Sequence, residues 1–230
     1  MNPADIEAAA ATEFDDWAAS GRGERMEDGH WPVVRPVLED LEFGPESRAL
    51  DVGCGAGWLV RRLLEAGAAE AHGVDIAPAM IARAKQGPGQ FQVASGAQLP
   101  YPDGHFSHLL SVESLYYYPD PAQALREWLR VTAPGGELAV IIELYADSPV
   151  GRSWSDALKV QVHNWSMARW MQALQDTGWS QVRAHQIPRP EAPKPPEAFE
   201  PSAYYPDYET LLGYHRAGAL VLRAQRSENS

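Results

Sequence analysis

Apolar and polar positions along this chain switch between two periods, and the switching predicts an order of elements. Residues 4–19 read as an amphipathic helix with Ile6, Phe14 and Trp17 near one side, broken by Gly21-Arg22-Gly23. A second helix is expected over about 32–42, with Pro32 in its first turn. Short apolar runs at 48–52, 69–74, 91–94, 105–112 and 137–142 read as strands. Helical stripes lie between them: Leu59, Val60, Leu63 and Leu64, then Met80, Ile81 and Ala84, then Leu125, Trp128 and Leu129. This alternation implies an α/β fold with a doubly wound, mostly parallel sheet. Ligands bind such sheets beyond the carboxyl ends of the strands. The turn after the first strand, Asp75, Ser95 and Glu113 all fall there.

The C-terminal third follows a different pattern. Residues 144–165 read as a polar, Trp-containing insertion, 166–176 as a helix and 181–187 as a sixth strand. Residues 188–206 hold seven prolines and are expected to lack regular structure. Residues 219–224 read as a last strand, antiparallel at the sheet edge. With no internal repeat, the chain is expected to form one domain over 1–230, with a helical N-terminal lid over about 1–44.

Residues 50–60 read Leu-Asp-Val-Gly-Cys-Gly-Ala-Gly-Trp-Leu-Val, a strand running through a glycine turn into a helix. A dinucleotide-binding turn would place its third glycine at position 58, where Trp58 stands. Three further blocks follow in order: Gly73-Val74-Asp75-Ile76, Leu99-Pro100-Tyr101-Pro102-Asp103-Gly104-His105-Phe106 and Arg130-Val131-Thr132-Ala133-Pro134-Gly135-Gly136. With these blocks the chain resembles the class I S-adenosylmethionine (SAM)-dependent methyltransferases of the small-molecule type, over roughly residues 45–145. The resemblance implies a Rossmann-like, seven-stranded sheet with an antiparallel C-terminal edge hairpin.

It also implies where SAM would sit. Gly53 and Gly55 would let backbone approach the amino-acid end, with Cys54 as a small residue between them. Asp51 would hold the ammonium directly or through water, or serve only as a turn-former. Asp75 would accept hydrogen bonds from the ribose hydroxyls, or serve only as a cap before Pro78. Ile76 would pack on the adenine. The family usually carries an acidic residue four positions before the Leu-Pro-Tyr block to grip the adenine amino group. This chain has Ser95-Gly96-Ala97 there, so Ser95 or the Gly96 and Ala97 backbone would do that work. Ser111 and Glu113 would border the meeting point of donor and acceptor. The segment 21–31 is expected to close over the site, with Arg22 or Arg25 meeting the cofactor carboxylate and Trp17, Met26 or Trp31 excluding water; a solvated loop is the alternative.

Methyl transfer from a sulfonium needs alignment of the acceptor, and a base only where the acceptor must lose a proton. Glu113 and His163 are the first candidates, with Tyr116, Tyr117 and Tyr145 behind them. Trp154, Trp165 and Trp170 add aromatic surface for packing or for an apolar acceptor. A SAM-binding protein without turnover, or a nicotinamide oxidoreductase, would use a related sheet. The formal charge of −12 disfavours nucleic acid and anionic membranes as partners. Cys54 is the only cysteine, so no internal disulfide forms. No metal-ligand spacing stands out among the seven histidines, so no metal is expected. No leader or membrane-spanning run appears, which makes the cytoplasm the expected location. The acceptor and the oligomeric state are not legible.

Overall fold

A computed structural model of the chain describes residues 2–228; the expected domain limits at Met1 and Ser230 lie outside the described residues. Seven strands form one sheet: β1 (Arg48–Val52), β2 (Glu70–Asp75), β3 (Gln90–Val93), β4 (Phe106–Val112), β5 (Thr132–Ile142), β6 (Ser180–Ile187) and β7 (Ala219–Gln225). Their order is β3-β2-β1-β4-β5-β7-β6. The first five are parallel, and β7 runs antiparallel to both β5 and β6. The expected α/β architecture and the antiparallel edge hairpin are both present, but the last strand is not the edge: β7 lies between β5 and β6, and β6 is outermost.

Eight α-helices accompany the described strands: α1 (Pro3–Ala19), α2 (Met26–Glu39), α3 (Trp58–Glu65), α4 (Pro78–Ala84), α5 (Pro121–Val131), α6 (Gly151–Ala157), α7 (Met167–Asp176) and α8 (Tyr208–Ala217). Successive strand residues point to opposite sheet faces, so nearly continuous apolar strands fill two cores. Leu109, Leu138, Val140 and Leu222 pack with Leu125 and Trp128 of α5 and Trp170 of α7. Leu110, Ala139, Ile141 and Val221 pack with Val33 and Val37 of α2 and Leu59 and Leu63 of α3.

The structure differs from the periodicity in three places. α2 starts at Met26, well before Pro32, and both Pro32 and Pro36 lie inside it. Burial of Val33, Val34, Val37 and Leu38 outweighs the backbone hydrogen bonds that the two prolines cannot donate. α8 falls in a stretch with no predicted element. Asp207 caps it by accepting from the Thr210 N–H at 2.7 Å, and Gly218 closes it at φ +60°. The insertion after β5 contains α6 and fully buries Leu144, Tyr145 and Val150, so it is less polar in effect than in composition. No helix among the described residues is long and apolar enough to cross a membrane.

Candidate active site

The carboxyl ends of β1, β2 and β4 open into a cavity of ≈ 380 Å³. Its floor is the glycine turn after β1. The Gly53 and Cys54 N–H groups donate to the Val74 carbonyl at 2.8 and 2.9 Å, which ties the turn to β2. Gly53 and Gly55 serve different ends. A Cβ on Gly53 would stand 2.3 Å from Ser114 Cβ, so this glycine makes room for a neighbouring side chain. A Cβ on Gly55 would meet nothing nearer than Met80 Sδ at 4.0 Å, so its backbone faces open space. Cys54 lines the same wall; burial, then the charges of Asp51 and Asp75, push its thiol pKa well up.

Asp75 lies on the wall at the end of β2. Its Oδ2 accepts from the Gly55 N–H at 2.8 Å and its Oδ1 from the Ala77 N–H at 2.9 Å. The carboxylate therefore fixes the chain entering α4 and braces the glycine turn, with lone pairs left over for a ligand. Burial raises its pKa against those bonds. Asp51 sits just off the wall, 2% exposed, and its Oδ1 has no hydrogen-bond partner among the described residues. Burial, then the charge of Asp75, raises the Asp51 carboxyl well above the usual range. This unpartnered oxygen, two residues before the glycine turn but off the cavity wall, leaves an acceptor that a bridging water could link to an ammonium. Ile76 and Gly96 line the wall. Ser95, Ala97 and Ser111 do not. Ser111 Oγ instead pairs with Ser114 Oγ at 2.6 Å, and Ser114 is the serine that reaches the cavity.

The N-terminal region roofs the cavity with Glu7, Phe14 and Trp17 of α1, Arg22, and Met26 and His30 of α2. Phe14 packs edge-on to Tyr117 at 5.0 Å, and Asp15 Oδ1 accepts from the Ala79 N–H at 2.9 Å. Arg22 stacks over Trp17 at 3.6 Å. Arg25 and Trp31 are not on the wall; Trp31 lies beneath Arg62.

The far end of the cavity is aromatic, with Tyr116, Tyr117, Trp154, Tyr204 and Tyr205, and it contains Glu113 and His30. Glu113 ends β4 in a left-handed conformation, φ +54°, which costs a non-glycine residue roughly 1–3 kcal/mol. Three bonds hold it there. Its N–H donates to Ile141 O at 2.9 Å, its Oε1 accepts from the Glu143 N–H and its Oε2 from the Tyr116 hydroxyl at 2.6 Å. Burial pushes the Glu113 carboxyl up to about 7, with the Glu143 charge acting the same way and His30 opposing.

His30 Nδ1 stands 3.4 Å from Glu143 Oε2, an ion-pair separation without hydrogen-bond alignment. Burial opposes its charge, but Glu143 and Glu113 outweigh burial and raise its pKa. Glu143 is fixed in turn: its Oε1 accepts from Arg189 Nη1 at 2.5 Å and from the Tyr214 hydroxyl at 2.9 Å. Arg189 Nη2 also donates to Gly29 O at 2.6 Å, so the proline-rich segment is tied to α2 beside His30. Burial opposes ionisation of Glu143, yet His30, Arg189 and Tyr214 together lower its pKa.

His163 is not brought to the cavity. Its ring lies against Trp165 at 5.1 Å, with Nε2 3.3 Å from Pro119 O. Glu7, His30, Ser114, Glu143 and Arg189 were not legible as site residues, since no local pattern links them. The fold also gathers Glu70, His72 and His105, whose ligand atoms lie within 4.8 Å of one another. They sit at the opposite ends of β2 and β4, with Arg48 Nη1 3.5 Å from His105 Nδ1.

Comparison with known proteins agrees with this geometry. The family described as "Methyltransferase domain" matches residues 50–140. The 27-O-demethylrifamycin SV methyltransferase of Amycolatopsis mediterranei is 30% identical over 159 residues, covering 60% of this chain and 58% of that protein. The chloroplastic tocopherol O-methyltransferase of Arabidopsis thaliana is 34% identical over 113 residues, covering 46% of this chain and 32% of that protein. The chain therefore spans between about a third and somewhat over half of these curated relatives. Among solved structures, it is similar to a chain from the complex between the Haloferax volcanii Trm112 methyltransferase activator and a protein described as a methyltransferase. That match has a TM-score of 0.86 and 26% identity, over 94% of this chain and 98% of the other. Residues 50–140 match the methyltransferase-domain family, and with this sheet order and glycine turn the chain is similar to the class I SAM-dependent methyltransferases.

Proposed function

We propose that the protein moves the methyl group of SAM to an O, N or C atom of a small-molecule acceptor, with an ionisable hydroxyl oxygen best matched to the site. One observation carries this reading: a single cavity runs from Gly55 and Asp75 to Glu113 and His30. Asp75 would hold the ribose hydroxyls, Asp51 the ammonium and Arg22 the carboxylate. Bound SAM supplies an electrophilic methyl on a sulfonium, so the protein's own task is alignment and proton removal. The N-terminal region from α1 to about residue 44 acts as a lid, with Phe14, Trp17 and Met26 keeping water from the cofactor side. Tyr116, Tyr117, Tyr204 and Tyr205 would flank a flat apolar acceptor and fix its orientation. Glu113 would take the acceptor proton. A carboxyl with a pKa of about 7 is both available as a base and strong enough to act near neutral pH. The relatives named for methylating 27-O-demethylrifamycin SV and tocopherol support the same broad class of small acceptor.

The test is transfer of tritiated methyl from SAM to a panel of phenols, amines and activated carbon acids. Label is expected on a phenolic acceptor, with Glu113→Gln abolishing most of it. Binding of S-adenosylhomocysteine without label on any class would favour the non-catalytic reading.

A further inference from the structure

Position 95 carries a serine where the resemblance calls for a carboxylate on the adenine amino group. The structure puts a carboxylate at the same place from elsewhere. Ser95 Oγ donates to Glu7 Oε1 at 2.6 Å, across a separation of 88 residues. The same Oγ accepts from the Ala97 N–H at 3.1 Å. A serine hydroxyl has one proton, and here it points at Glu7. Ser95 itself is off the cavity wall, while Glu7 and Gly96 are on it.

Glu7 is not a freely swinging surface group. It is half-buried on α1, one turn from the buried Ala10. α1 is capped by Asn2 and pinned to α4 through the bond between Asp15 and the Ala79 N–H. Phe14 and Trp17 anchor its other end against Ala77 and Met80. A carboxylate offers about four acceptor sites, and Ser95 occupies one of them. The remaining sites accept hydrogen bonds only, which suits an amino group and not a carbonyl.

We propose that Glu7 is the adenine-reading carboxylate of this protein, supplied by the N-terminal helix in place of the acidic residue absent from position 95. Ser95 then acts as a positioning residue that holds Glu7 in place. This rests on the SAM-binding reading above, and it makes docking of α1 part of cofactor recognition.

The test is calorimetry on the full chain with two probes, S-adenosylhomocysteine and S-inosylhomocysteine. They differ in the group at ring position 6, an amino donor in the first and a carbonyl acceptor in the second. Wild type is expected to prefer the adenosyl probe by about tenfold or more, the scale of one hydrogen bond to a charged group. Glu7→Gln presents an amide N–H₂ to the same spot, so the preference should collapse or reverse. Glu7→Gln combined with Ser95→Asp should restore it. The preference is a ratio within each variant, so partial loss of folded protein does not move it. A Glu7→Gln variant that keeps the wild-type preference overturns the proposal while leaving SAM binding intact. A wild type that binds neither probe removes the SAM-binding reading, and this proposal with it.

Discussion

The two ends of the cavity are assembled in different ways. The floor proposed for the nucleoside comes from residues 51–57 and 75–77, a strand end, a turn and the next strand end, joined by the Gly55–Asp75 and Gly53–Val74 bonds. The end proposed for the acceptor joins His30 of α2, Glu113 after β4, Glu143 after β5, Arg189 after β6 and Tyr204 in the proline-rich segment. The floor of one end is backbone geometry set by local glycines, with Glu7 of α1 added from a distance. The other is a set of long-range side-chain bonds among buried charges. A rigid local turn can serve many acceptors, whereas the distributed end can be rebuilt residue by residue without disturbing the first.

Substitutions can separate the two ends. The largest effect is expected from Glu113→Gln, which should lower the rate of methyl transfer by about 10²–10⁴-fold, the range for loss of a positioned base. SAM binding should stay within a few-fold. Wild-type activity should rise with pH through about 7, as the Glu113 carboxyl ionises, and the variant should lose that limb. The same group leaves a mark on stability. Its folded pKa lies above its ordinary value of 4.5, so the folded state binds the proton more tightly. Stability should therefore fall as pH rises from 4.5 to about 7, and Glu113→Gln should flatten that fall in a series of thermal melts.

Arg189→Met should act on the fold of the acceptor end. It leaves Glu143, 2% exposed, without its guanidinium partner, and breaking a buried pair of this kind costs roughly 3–5 kcal/mol. Denaturant unfolding should show that loss, and a co-substitution of Glu143→Gln should recover part of it. If Arg189→Met melts like wild type, the charged cluster is not what holds that end together.

Asp75→Ala belongs to the nucleoside end. It should weaken SAM by about 10–100-fold through loss of hydrogen bonds to a charged group. The turnover of the residual complex should change little, and a kcat loss exceeding the KM loss would blur the division between ends. His163→Ala is expected to do least. Its ring contacts Trp165 and Pro119, away from the cavity, so activity should stay within twofold, of the order of 0.4 kcal/mol. A larger loss would bring the insertion into the chemistry.

The same division explains what was legible in the sequence. Asp51, Gly55, Asp75 and Ile76 lie within one β-α-β unit, where spacing along the chain nearly determines spacing in the fold. Gly53 was legible as a needed glycine, but its reason, the Ser114 side chain 2.3 Å from any added Cβ, is a tertiary contact. Glu113 was legible because it ends a strand. His30 was hidden inside a helix that Pro32 seemed to exclude, since the proline rule competes with burial of Val33 and Val37 and loses. Arg189 and Tyr204 sit in a stretch whose seven prolines announce only irregular backbone. His163 looked chemical by residue type alone, and residue type carries no direction. α8 had its cap at Asp207 and its stop at Gly218 in plain view, but only a sparse apolar stripe, Leu211 and Tyr214, between them.

The most direct measurement is a crystal structure of the chain with S-adenosylhomocysteine. The ribose should lie within hydrogen-bond reach of Asp75, the ammonium near Asp51, and the sulfur should face the chamber of Glu113 and Tyr116. A ligand bound outside this cavity, or one with its sulfur turned away from Glu113, would contradict the account.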